Sequence, residues 1–450
     1  MQKQKETIVA LATPPGRGSI GVIRLSGEKA YDIGCKLVQT TLKKRHAHYL
    51  NFYNDHNSII DQGIALFFKS PHSFTGEDIV ELQGHGGPIV MDLIIEQALK
   101  YGARLAKPGE FSERAFLNDK LDLAQAEAIS DLIEASSEKA AKSAIRSLQG
   151  EFSKEINKLI EGLIYLRTYV ESAIDFPDEE IDFLSDGHIQ TKLEKLQTHL
   201  NHVLDTSKQG SILREGMTVV IAGKPNAGKS SLLNALSGEE TAIVTDIAGT
   251  TRDILKEHIH INGLPLHIID TAGLRESEDI VEKEGIKRAL AAIKEADCIL
   301  LIEDIHESNN KNHMPNLPPL LESLPENIPK LYVFNKIDLT KHKPEIKNNT
   351  LYVSAKNNLG IDLLKEKLLD LIGFNSNTEG LYTARRRHLD ALEIAKNHLN
   401  LGFEQLTIFQ SGELLAEELR LTQDALSSIT GKFSADDLLG EIFSSFCIGK

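Results

Sequence analysis

Apolar residues recur with two different periods along the chain, and the change of period divides it into regions. Short apolar, β-branched runs punctuated by Gly and Pro occupy roughly the first 118 residues, which is typical of strands in a mixed α+β domain. From about Lys120 to Arg214 the apolar residues recur at intervals of three and four, which predicts helices. The strands predicted in the first region are Thr7–Leu11, Ile20–Leu25, Ile64–Phe68 and Ile79–Leu82.

A second α/β region begins near Gly216, where strand-like runs alternate with helical segments. This alternation indicates βαβ units around a mostly parallel sheet. It ends near Gly373, and helical spacing resumes from Arg385 to Phe446. Because the termini of a compact domain often lie close together, the simplest interpretation is one helical domain split by an inserted α/β domain. The strands predicted here are Thr218–Ala222, Leu266–Asp270, Cys298–Ile302, Leu331–Phe334 and Leu351–Val353.

Length and composition agree with a multidomain chain of the α/β and α classes. The 450 residues are too many for one typical core, and 41% hydrophobic with 26% charged residues is the profile of a soluble globular protein. The predicted segments are 1–118 (N-terminal α+β domain), 119–215 (first helical part), 216–373 (inserted α/β domain) and 374–450 (second helical part).

Other features of the composition favour the cytoplasm and restrict the partners. No apolar stretch reaches the length of a membrane-spanning helix, and the N-terminus is a poor secretory signal. Three scattered cysteines are too few for a disulfide framework or a zinc site. The net charge is −15, so the chain is not expected to hold RNA over a large surface. If RNA is the substrate, a local basic patch or a partner must supply much of the contact.

A phosphate-binding motif lies between a predicted strand and a predicted helix. Gly223-Lys224-Pro225-Asn226-Ala227-Gly228-Lys229-Ser230 matches G-x-x-x-x-G-K-[ST], directly after Thr218–Ala222 and before the helical run Ser231–Leu236. In this setting backbone N–H groups and the helix N-terminus bind phosphate oxygens. Lys229 is expected to reach the β- and γ-phosphates, and the Ser230 hydroxyl to bind Mg²⁺. The alternative, a glycine-rich turn without a ligand, does not account for the context.

Three further nucleotide-binding motifs each follow a predicted strand. Asp270 opens D-x-x-G and would hold Mg²⁺ through water, while Asp338 of N-K-x-D would accept two hydrogen bonds from guanine that adenine does not offer. Ser354-Ala355-Lys356 matches the loop behind the base. The sequence therefore predicts a site for GTP. The residues expected to contact it are Asn226, Ala227, Gly228, Lys229, Ser230, Ser231, Thr245, Asp246, Ile247, Ala248, Gly249, Thr250, Thr251, Asp270, Thr271, Ala272, Gly273, Asn335, Lys336, Asp338, Ser354, Ala355 and Lys356.

The residues around this site leave the source of the catalytic groups open. Leu274 occupies the position at which many small GTPases carry a water-orienting Gln, so another residue or a partner must orient the water. Thr251 is expected to be the second Mg²⁺ ligand. The Asn226 side-chain oxygen, with backbone carbonyls from residues 245–251, would either bind a monovalent cation or only shape the loop, and spacing alone does not decide between the two.

Blocks along the whole chain resemble the MnmE (TrmE) family of bacterial tRNA-modification GTPases, within the TrmE-Era-EngA-YihA-Septin-like class. The N-terminal blocks and the C-terminal end are the more specific part of the resemblance, since the nucleotide motifs are shared with many GTPases. The blocks are Ser73-Phe74-Thr75-Gly76-Glu77-Asp78, Glu81-Leu82-Gln83-Gly84-His85-Gly86-Gly87, residues 108–118, residues 120–127, Gly249-Thr250-Thr251-Arg252-Asp253 and Phe446-Cys447-Ile448-Gly449-Lys450.

The resemblance implies roles that the residues alone do not establish. It implies an N-terminal domain that forms a homodimer and binds 5-formyltetrahydrofolate or a related one-carbon folate, and a P-loop GTPase domain inserted into a helical domain. It implies hydrolysis that is stimulated by K⁺, with Glu282 positioning the attacking water. The implied ligands are Asn226, Thr245, Ile247 and Thr250 for K⁺, Ser230 and Thr251 for Mg²⁺, and Arg24, Glu81, Lys120 and Lys450 for the folate. Judged without the resemblance, Glu81 is a solvent-facing strand residue, and Arg24 and Lys120 are surface charges.

Three hypotheses for the function follow. In the first, the chain works with an MnmG (GidA)-type FAD protein and installs a carboxymethylaminomethyl or aminomethyl group at C5 of the wobble uridine of certain tRNAs. In the second, it is a ribosome-assembly GTPase switch, which the acidic charge and the lack of a basic RNA-binding module disfavour. In the third, it is a dimerising GTPase whose N-terminal domain only docks partners. A dense basic run, Arg385-Arg386-Arg387-His388, would contact RNA or a partner, but a solvated helix face is the preferred interpretation.

Overall fold

The computed structural model describes most of the chain, and the described residues form two compact units. The first unit comprises Met1–Ser130, Ser147–His199 and Ala391–Lys450, and the second comprises Asp131–Arg146 and Leu200–Asp390. The described residues are 6–175, 188–224, 226–237, 256–270, 296–306, 328–374, 380–431, 442–444, 446 and 449.

Among the described residues of the first unit, six strands form one sheet in the order β3-β4-β5-β2-β1-β6. Neighbouring strands are antiparallel except for β1 and β6, which are parallel. Four of these strands overlap the predicted ones, and β3 and β6 were not predicted. The strands are β1 Ile8–Leu11, β2 Gly21–Ser26, β3 His48–Tyr53, β4 Ile59–Phe68, β5 Ile79–Gly84 and β6 Arg104–Leu105.

The two faces of this sheet have different surroundings because side chains alternate along each strand. One face packs against α1 (Ala30–Val38) and α2 (Pro88–Lys100), and its core includes Ile23 and Leu82. On the opposite face, Ile8 and Ala10 of β1 pack against Phe111 of α3 (Glu110–Leu117). Arg24 of β2 and Glu81 of β5 are paired residues in register and lie on this second face.

Helices account for most of the described residues in the ranges 123–215 and 386–430, as the spacing of apolar residues predicted. α6 packs against α11, and Leu159, Leu163 and Leu166 of α6 are buried. A π-helical turn, Gln405–Phe409, separates α10 from α11. The helices are α4 Leu123–Glu134, α5 Glu138–Leu148, α6 Glu151–Asp175, α7 His188–Glu215, α8 Lys229–Ser237, α9 Ile361–Leu371, α10 Arg386–Glu404 and α11 Gly412–Thr430.

The second unit contains a mostly parallel sheet, which confirms the predicted fold class. Among its described residues, seven strands lie in the order β12-β13-β11-β10-β7-β9-β8, with only the edge strands β12 and β8 antiparallel to their neighbours. The central strands are almost wholly apolar because both faces are covered. The strands are β7 Met217–Gly223, β8 Lys256–Ile261, β9 Leu264–Asp270, β10 Cys298–Asp304, β11 Lys330–Asn335, β12 Glu345–Lys347 and β13 Thr350–Tyr352.

The parallel strands bring the predicted nucleotide motifs to one edge of the sheet. β7, β9, β11 and β13 all run in the same direction, so the loops that follow them meet at their carboxyl ends.

The helices that the structure describes include none with the length and apolar character of a membrane-spanning segment.

Candidate nucleotide-binding site

The loop between β7 and α8 folds around the side chain of Lys229. The Lys229 ammonium donates hydrogen bonds to the carbonyl oxygens of Gly223 at 2.8 Å and Lys224 at 3.0 Å. The Leu232 N–H donates to the Gly228 carbonyl, so helical hydrogen bonding begins immediately after the loop. A cation and the free N–H groups of a helix N-terminus therefore lie together, which is the chemistry that binds phosphate.

Asn335, the last residue of β11, connects three loops through one buried side chain. It is 2% exposed. Its Nδ2 donates to the Ala227 carbonyl at 3.0 Å, and its Oδ1 accepts from the N–H groups of Lys336 at 2.8 Å and Ala355 at 3.0 Å. Gly228 has a φ of +92°, and a Cβ there would lie 2.2 Å from Asn335 Nδ2, so the approach of the phosphate loop to Asn335 requires glycine.

Asp338 lies on a short 3₁₀ turn after β11 and is oriented by Ser354. The Ser354 hydroxyl donates to Asp338 Oδ1 at 2.5 Å, which fixes the carboxylate beside the Ser354–Lys356 loop. Lys336, at a φ of +68°, forms an ion pair with Asp304 at 2.7 Å. Burial raises the pKa of Asp304 while the hydrogen bond from Lys336 lowers it, and the net shift is downward. Sequence reasoning did not select Asp304, although an acidic residue at the end of the adjacent strand was a usable signal.

The structure brings together the predicted residues of the phosphate loop and of the two base loops. Asn226, Ser230, Ser231 and Lys356 are exposed, and Ala227 and Ala355 are buried. Asp270 ends β9, in register with Ile221 of β7, which carries the phosphate loop. The candidates that lie outside the described residues are Thr245, Asp246, Ile247, Ala248, Gly249, Thr250, Thr251, Thr271, Ala272, Gly273, Glu282 and Lys450, together with Leu274 and Cys447.

The candidate folate residues of the N-terminal sheet are not isolated surface charges. Arg24 Nε donates to Glu81 Oε1 at 2.9 Å, and the two side chains are 23% and 15% exposed. The Arg24 guanidinium lies over the rings of Phe74 and Phe111, 5.6 and 5.8 Å from their centroids. Glu81 is therefore paired and mostly covered, and its interpretation as a solvent-facing residue is wrong. The alternation of apolar residues along β5 could not identify this, because α3 covers the second face.

Lys120 lies in the turn before α4, beside the loop that carries Phe74. A Cβ on Gly76 would be 3.2 Å from Lys120 Cε, and Asn118 Nδ2 donates to the Thr75 carbonyl at 2.7 Å. The loop of residues 73–78 thus contacts both Arg24 and the segment containing Lys120. Arg24, with its partner Glu81, and Lys120 are therefore all associated with this loop.

A buried ion cluster that the sequence did not predict supports the same loop. Arg114, 5% exposed, donates to Glu77 at 2.9 Å and to Glu110 at 2.8 Å. Glu110 also accepts from Arg104 at 2.6 Å, and Glu77 accepts from the Ser26 hydroxyl at 2.8 Å. The i,i+4 spacing of Glu110 and Arg114 was a signal for one of these pairs. Arg104 and Glu110 are six residues apart, whereas the contacts of Glu77 with Arg114 and Ser26 join residues far apart in the sequence.

The basic run that opens α10 is not a solvated face throughout. Arg385 forms an ion pair with Asp131 at 2.7 Å, and Asp131 also accepts from Arg214 Nε at 2.8 Å. His388 is 2% exposed, while Arg386 is exposed. The preferred interpretation of this run is therefore wrong for Arg385 and His388, because tertiary contacts bury them.

The mostly parallel sheet, the phosphate loop and the two loops that Asn335 joins to it are those of a P-loop GTPase. Residues 7–120 match the family described as GTP-binding protein TrmE N-terminus, and residues 123–447 match the MnmE helical domain. The chain is 61% identical to tRNA modification GTPase MnmE of Pasteurella multocida (strain Pm70), over 99% of this chain and 100% of that protein. It is 60% identical to the MnmE of Proteus mirabilis (strain HI4320), over 99% of each. The chain belongs to the MnmE family.

Proposed function

We propose that this chain hydrolyses GTP as part of a tRNA-modification reaction. The observation that carries the proposal is the junction at Asn335, where one buried side chain ties the phosphate loop to the loop that backs the base. Membership of the MnmE family supports the tRNA part, because the curated relatives are named tRNA modification GTPases.

Each loop of the site has a separate task in this proposal. Asp338 accepts hydrogen bonds from the N1–H and the exocyclic amine of guanine, which selects GTP over ATP. When GTP binds, the Lys229 ammonium leaves the loop carbonyls to which it donates and donates instead to the β- and γ-phosphates. Because Leu274 has no polar group, Glu282 positions the attacking water through a second water.

The donor groups of the site are suited to hard cations. The Ser230 hydroxyl at the start of α8, with Thr251 and, through water, Asp270, offers the oxygen ligands that Mg²⁺ prefers. Asn226, exposed beside the phosphate loop at a φ of +65°, offers a side-chain oxygen for K⁺ together with the backbone of Thr245, Ile247 and Thr250. The cations would neutralise charge that develops on the phosphates during hydrolysis.

The wider reaction in the proposal involves a one-carbon donor and partners. The chain acts in the cytoplasm as a homodimer with an MnmG-type FAD protein, and together they modify C5 of the wobble uridine of certain tRNAs. The predicted segments 1–118, 119–215, 216–373 and 374–450 are the domains of this assembly. The N-terminal domain binds a formyl-tetrahydrofolate, with Glu81 accepting from the pterin, Arg24 orienting Glu81 at the same end of the ligand, and Lys120 and Lys450 meeting the glutamate carboxylates.

Two contacts of the first unit support the folate part of the proposal. The Arg24–Glu81 pair offers both a cation and a carboxylate, and Phe74 and Phe111 supply aromatic surface beside it. Gly449 lies against Leu11 and Ala12, since a Cβ there would be 2.2 Å from the Leu11 carbonyl oxygen. β1 is the neighbour of β2, so Gly449 lies beside the strand pair that carries Arg24.

The test is a rescue experiment in cells that lack this protein. Wobble-uridine nucleosides are quantified by mass spectrometry after rescue with wild type, with Lys229→Ala, or with the control Lys154→Ala, whose side chain is exposed on α6. We expect wild type and the control to restore the modified uridine and Lys229→Ala to fail. Unchanged uridines in the deleted cells, together with abnormal ribosomal subunits, would overturn the proposal in favour of a ribosome-assembly switch.

A further inference from the structure

A turn rich in basic residues lies between α1 and β3 in the N-terminal domain. Lys43, Lys44, Arg45 and His46 are exposed, and the run continues to His48; we call Lys43–His48 the basic turn. Within the part of the chain that the structure describes, no carboxylate forms an ion pair with the side chains of these four residues. In a protein with a net charge of −15, such a concentration of cations stands out.

Backbone contacts hold the basic turn in one conformation. The Arg45 N–H donates to the Phe67 carbonyl at 2.8 Å, and Lys44 forms a parallel bridge with Phe67, so the turn is attached to β4. The Arg45 guanidinium donates to the His72 carbonyl at 3.0 Å, and the Lys43 N–H donates to His48 Nε2 at 3.0 Å. The cations are therefore presented from a fixed backbone, which reduces the entropy lost on binding.

The groups around the turn combine positive potential with exposed rings. Burial lowers the pKa of His48, and the charges of His46 and Lys43 lower it further, as expected in a positive local field. The rings of His46 and His48 meet edge to face, 4.6 Å between centroids. Tyr49, the next residue, is 70% exposed. Cations interleaved with exposed aromatic rings are typical of surfaces that bind nucleic acid.

We propose that the basic turn and Tyr49 form a contact surface for the phosphate backbone and an unpaired base of tRNA. The proposal rests on the tRNA-modification function proposed above. It locates a local basic patch, which is one of the two sources of RNA contact considered for this acidic chain, the other being a partner. Lys43, Lys44 and Arg45 precede the edge strand β3 and do not interrupt it, so protection of that edge does not explain them. Phosphate contacts of this kind position an RNA without reading its sequence.

The first experiment measures binding of the purified full-length chain to a tRNA transcript over a range of salt concentrations. We expect Lys43→Gln/Lys44→Gln to weaken binding roughly ten- to thirtyfold near 0.15 M salt and to reduce the slope of log affinity against log salt by about 1.5 to 2. Arg45 is left unchanged because its backbone and guanidinium fix the turn. The control Lys154→Gln/Lys195→Gln removes the same charge from exposed positions on α6 and α7 and is expected to bind like wild type.

A second variant tests the aromatic part of the surface. Tyr49→Ala is expected to weaken tRNA binding by about tenfold with an unchanged salt slope, because a stacked ring contributes without neutralising a phosphate. Wild-type affinity in Lys43→Gln/Lys44→Gln, or equal loss in the control, would overturn the proposal. So would unchanged tRNA affinity with lost binding to vesicles of anionic lipid, which would indicate a membrane contact.

The cellular rescue separates this proposal from the function on which it rests. If wild type restores the modified uridine while tRNA affinity is insensitive to Lys43→Gln/Lys44→Gln, the proposal that the basic turn binds tRNA is wrong and the proposed function stands. If wild type itself does not restore the uridine, the proposed function fails. GTP hydrolysis by each variant is expected to equal that of wild type, since the turn lies outside the nucleotide site.

Discussion

Asn335 makes more contacts between the loops of the nucleotide site than the N-K-x-D motif alone suggests. Its amide makes one donated and two accepted hydrogen bonds to backbone groups of three loops, and it is almost fully buried. Losing such a side chain leaves buried polar groups unpaired at a cost of about 1–3 kcal/mol each. The relative position of the phosphate loop and the base loops therefore depends on this residue. In the proposed function, Asp338, three residues further along the chain, selects the base.

Exchange of the Asp338 carboxylate for an amide should change which base the site prefers. Asp338→Asn loses the acceptor for the guanine amine, and we expect GTP affinity to fall about 10²- to 10³-fold. Xanthine has a carbonyl in place of that amine, so the new amide can donate a hydrogen bond to it. Asp338→Asn should therefore bind XTP more tightly than the wild-type chain does. Competition against a fluorescent nucleotide measures both. Asp362→Asn, exposed on α9, is the control, and wild-type GTP affinity in Asp338→Asn would contradict the assignment.

The role proposed for Asn226 leads to a prediction about how monovalent cations affect hydrolysis. We expect GTP hydrolysis to be at least about tenfold faster in KCl than in NaCl at equal ionic strength, because a bound K⁺ supplies charge that an arginine otherwise supplies. Asn226→Gly should abolish this preference and retain GTP binding, since glycine tolerates the φ of +65° and lacks only the side-chain oxygen. Equal turnover in the two salts by the wild-type chain would remove K⁺ from the mechanism.

At the scale of elements, α3 is fastened to the N-terminal sheet by Glu110, and this contact should depend on pH. Burial raises the pKa of Glu110 and hydrogen bonds from Arg104, the Lys107 N–H and Arg114 lower it, giving a value of about 2 against 4.5 for a free side chain. The folded-state pKa is depressed, so the stabilisation is complete above pH 4.5 and is lost as the pH falls from 4.5 through 2. Its size is about 3 kcal/mol.

Hydrogen exchange of β1 and β2 amides measures this stabilisation within the first unit. Wild type should lose protection between pH 5 and pH 3 after correction for intrinsic exchange rates. Glu110→Gln should be less protected at pH 7 and should depend less on pH over the same range. Glu28→Gln, exposed before α1, should follow wild type, and identical pH profiles for Glu110→Gln and wild type would refute the role of this carboxylate.

Some elements could be predicted from the sequence and others could not, for physical reasons. β7, β10 and β11 are buried on both faces, so each is a continuous apolar run that the sequence displays directly. The strands β3 and β8 lie at sheet edges and contain polar residues, and the alternation of Ile259 and Ile261 with histidines in β8 was the only local signal.

Some parts of the candidate site could likewise be predicted from the sequence and others could not. Its phosphate and base loops were predictable because their backbone geometry demands particular residues at fixed spacing, as at Gly228 and Lys229. Pairs such as Arg24–Glu81 and Arg385–Asp131 were not, because they join residues far apart in the chain and depend on which faces of the elements meet.

At the scale of the whole molecule, described residues near the C-terminus pack against residues of the N-terminal third of the chain within the first unit. Phe443 and Phe446 pack with Leu123 and Ala126, and a Cβ on Gly109 would lie 2.3 Å from the Phe443 carbonyl oxygen. Gly449 then reaches the end of β1 at Leu11 and Ala12. Phe443, Phe446 and Gly449 thus pack against residues of the N-terminal third of the chain, and a folate site that uses Lys450 depends on these contacts.

Gly449 offers a single-atom test of these contacts. Its φ is +97°, and a Cβ would collide with the Leu11 carbonyl oxygen at 2.2 Å, so Gly449→Ala must displace the C-terminal end. We expect the variant to bind 5-formyltetrahydrofolate at least about tenfold more weakly in calorimetric titration and to hydrolyse GTP at the wild-type rate. Gly373→Ala is the matched control, because Gly373 also has a positive φ, +66°, with nothing within 4 Å of an added Cβ. Normal folate affinity in Gly449→Ala would show that the contact of Gly449 with Leu11 is not needed for folate binding. Equal losses of affinity in both variants would show that backbone strain alone causes the effect.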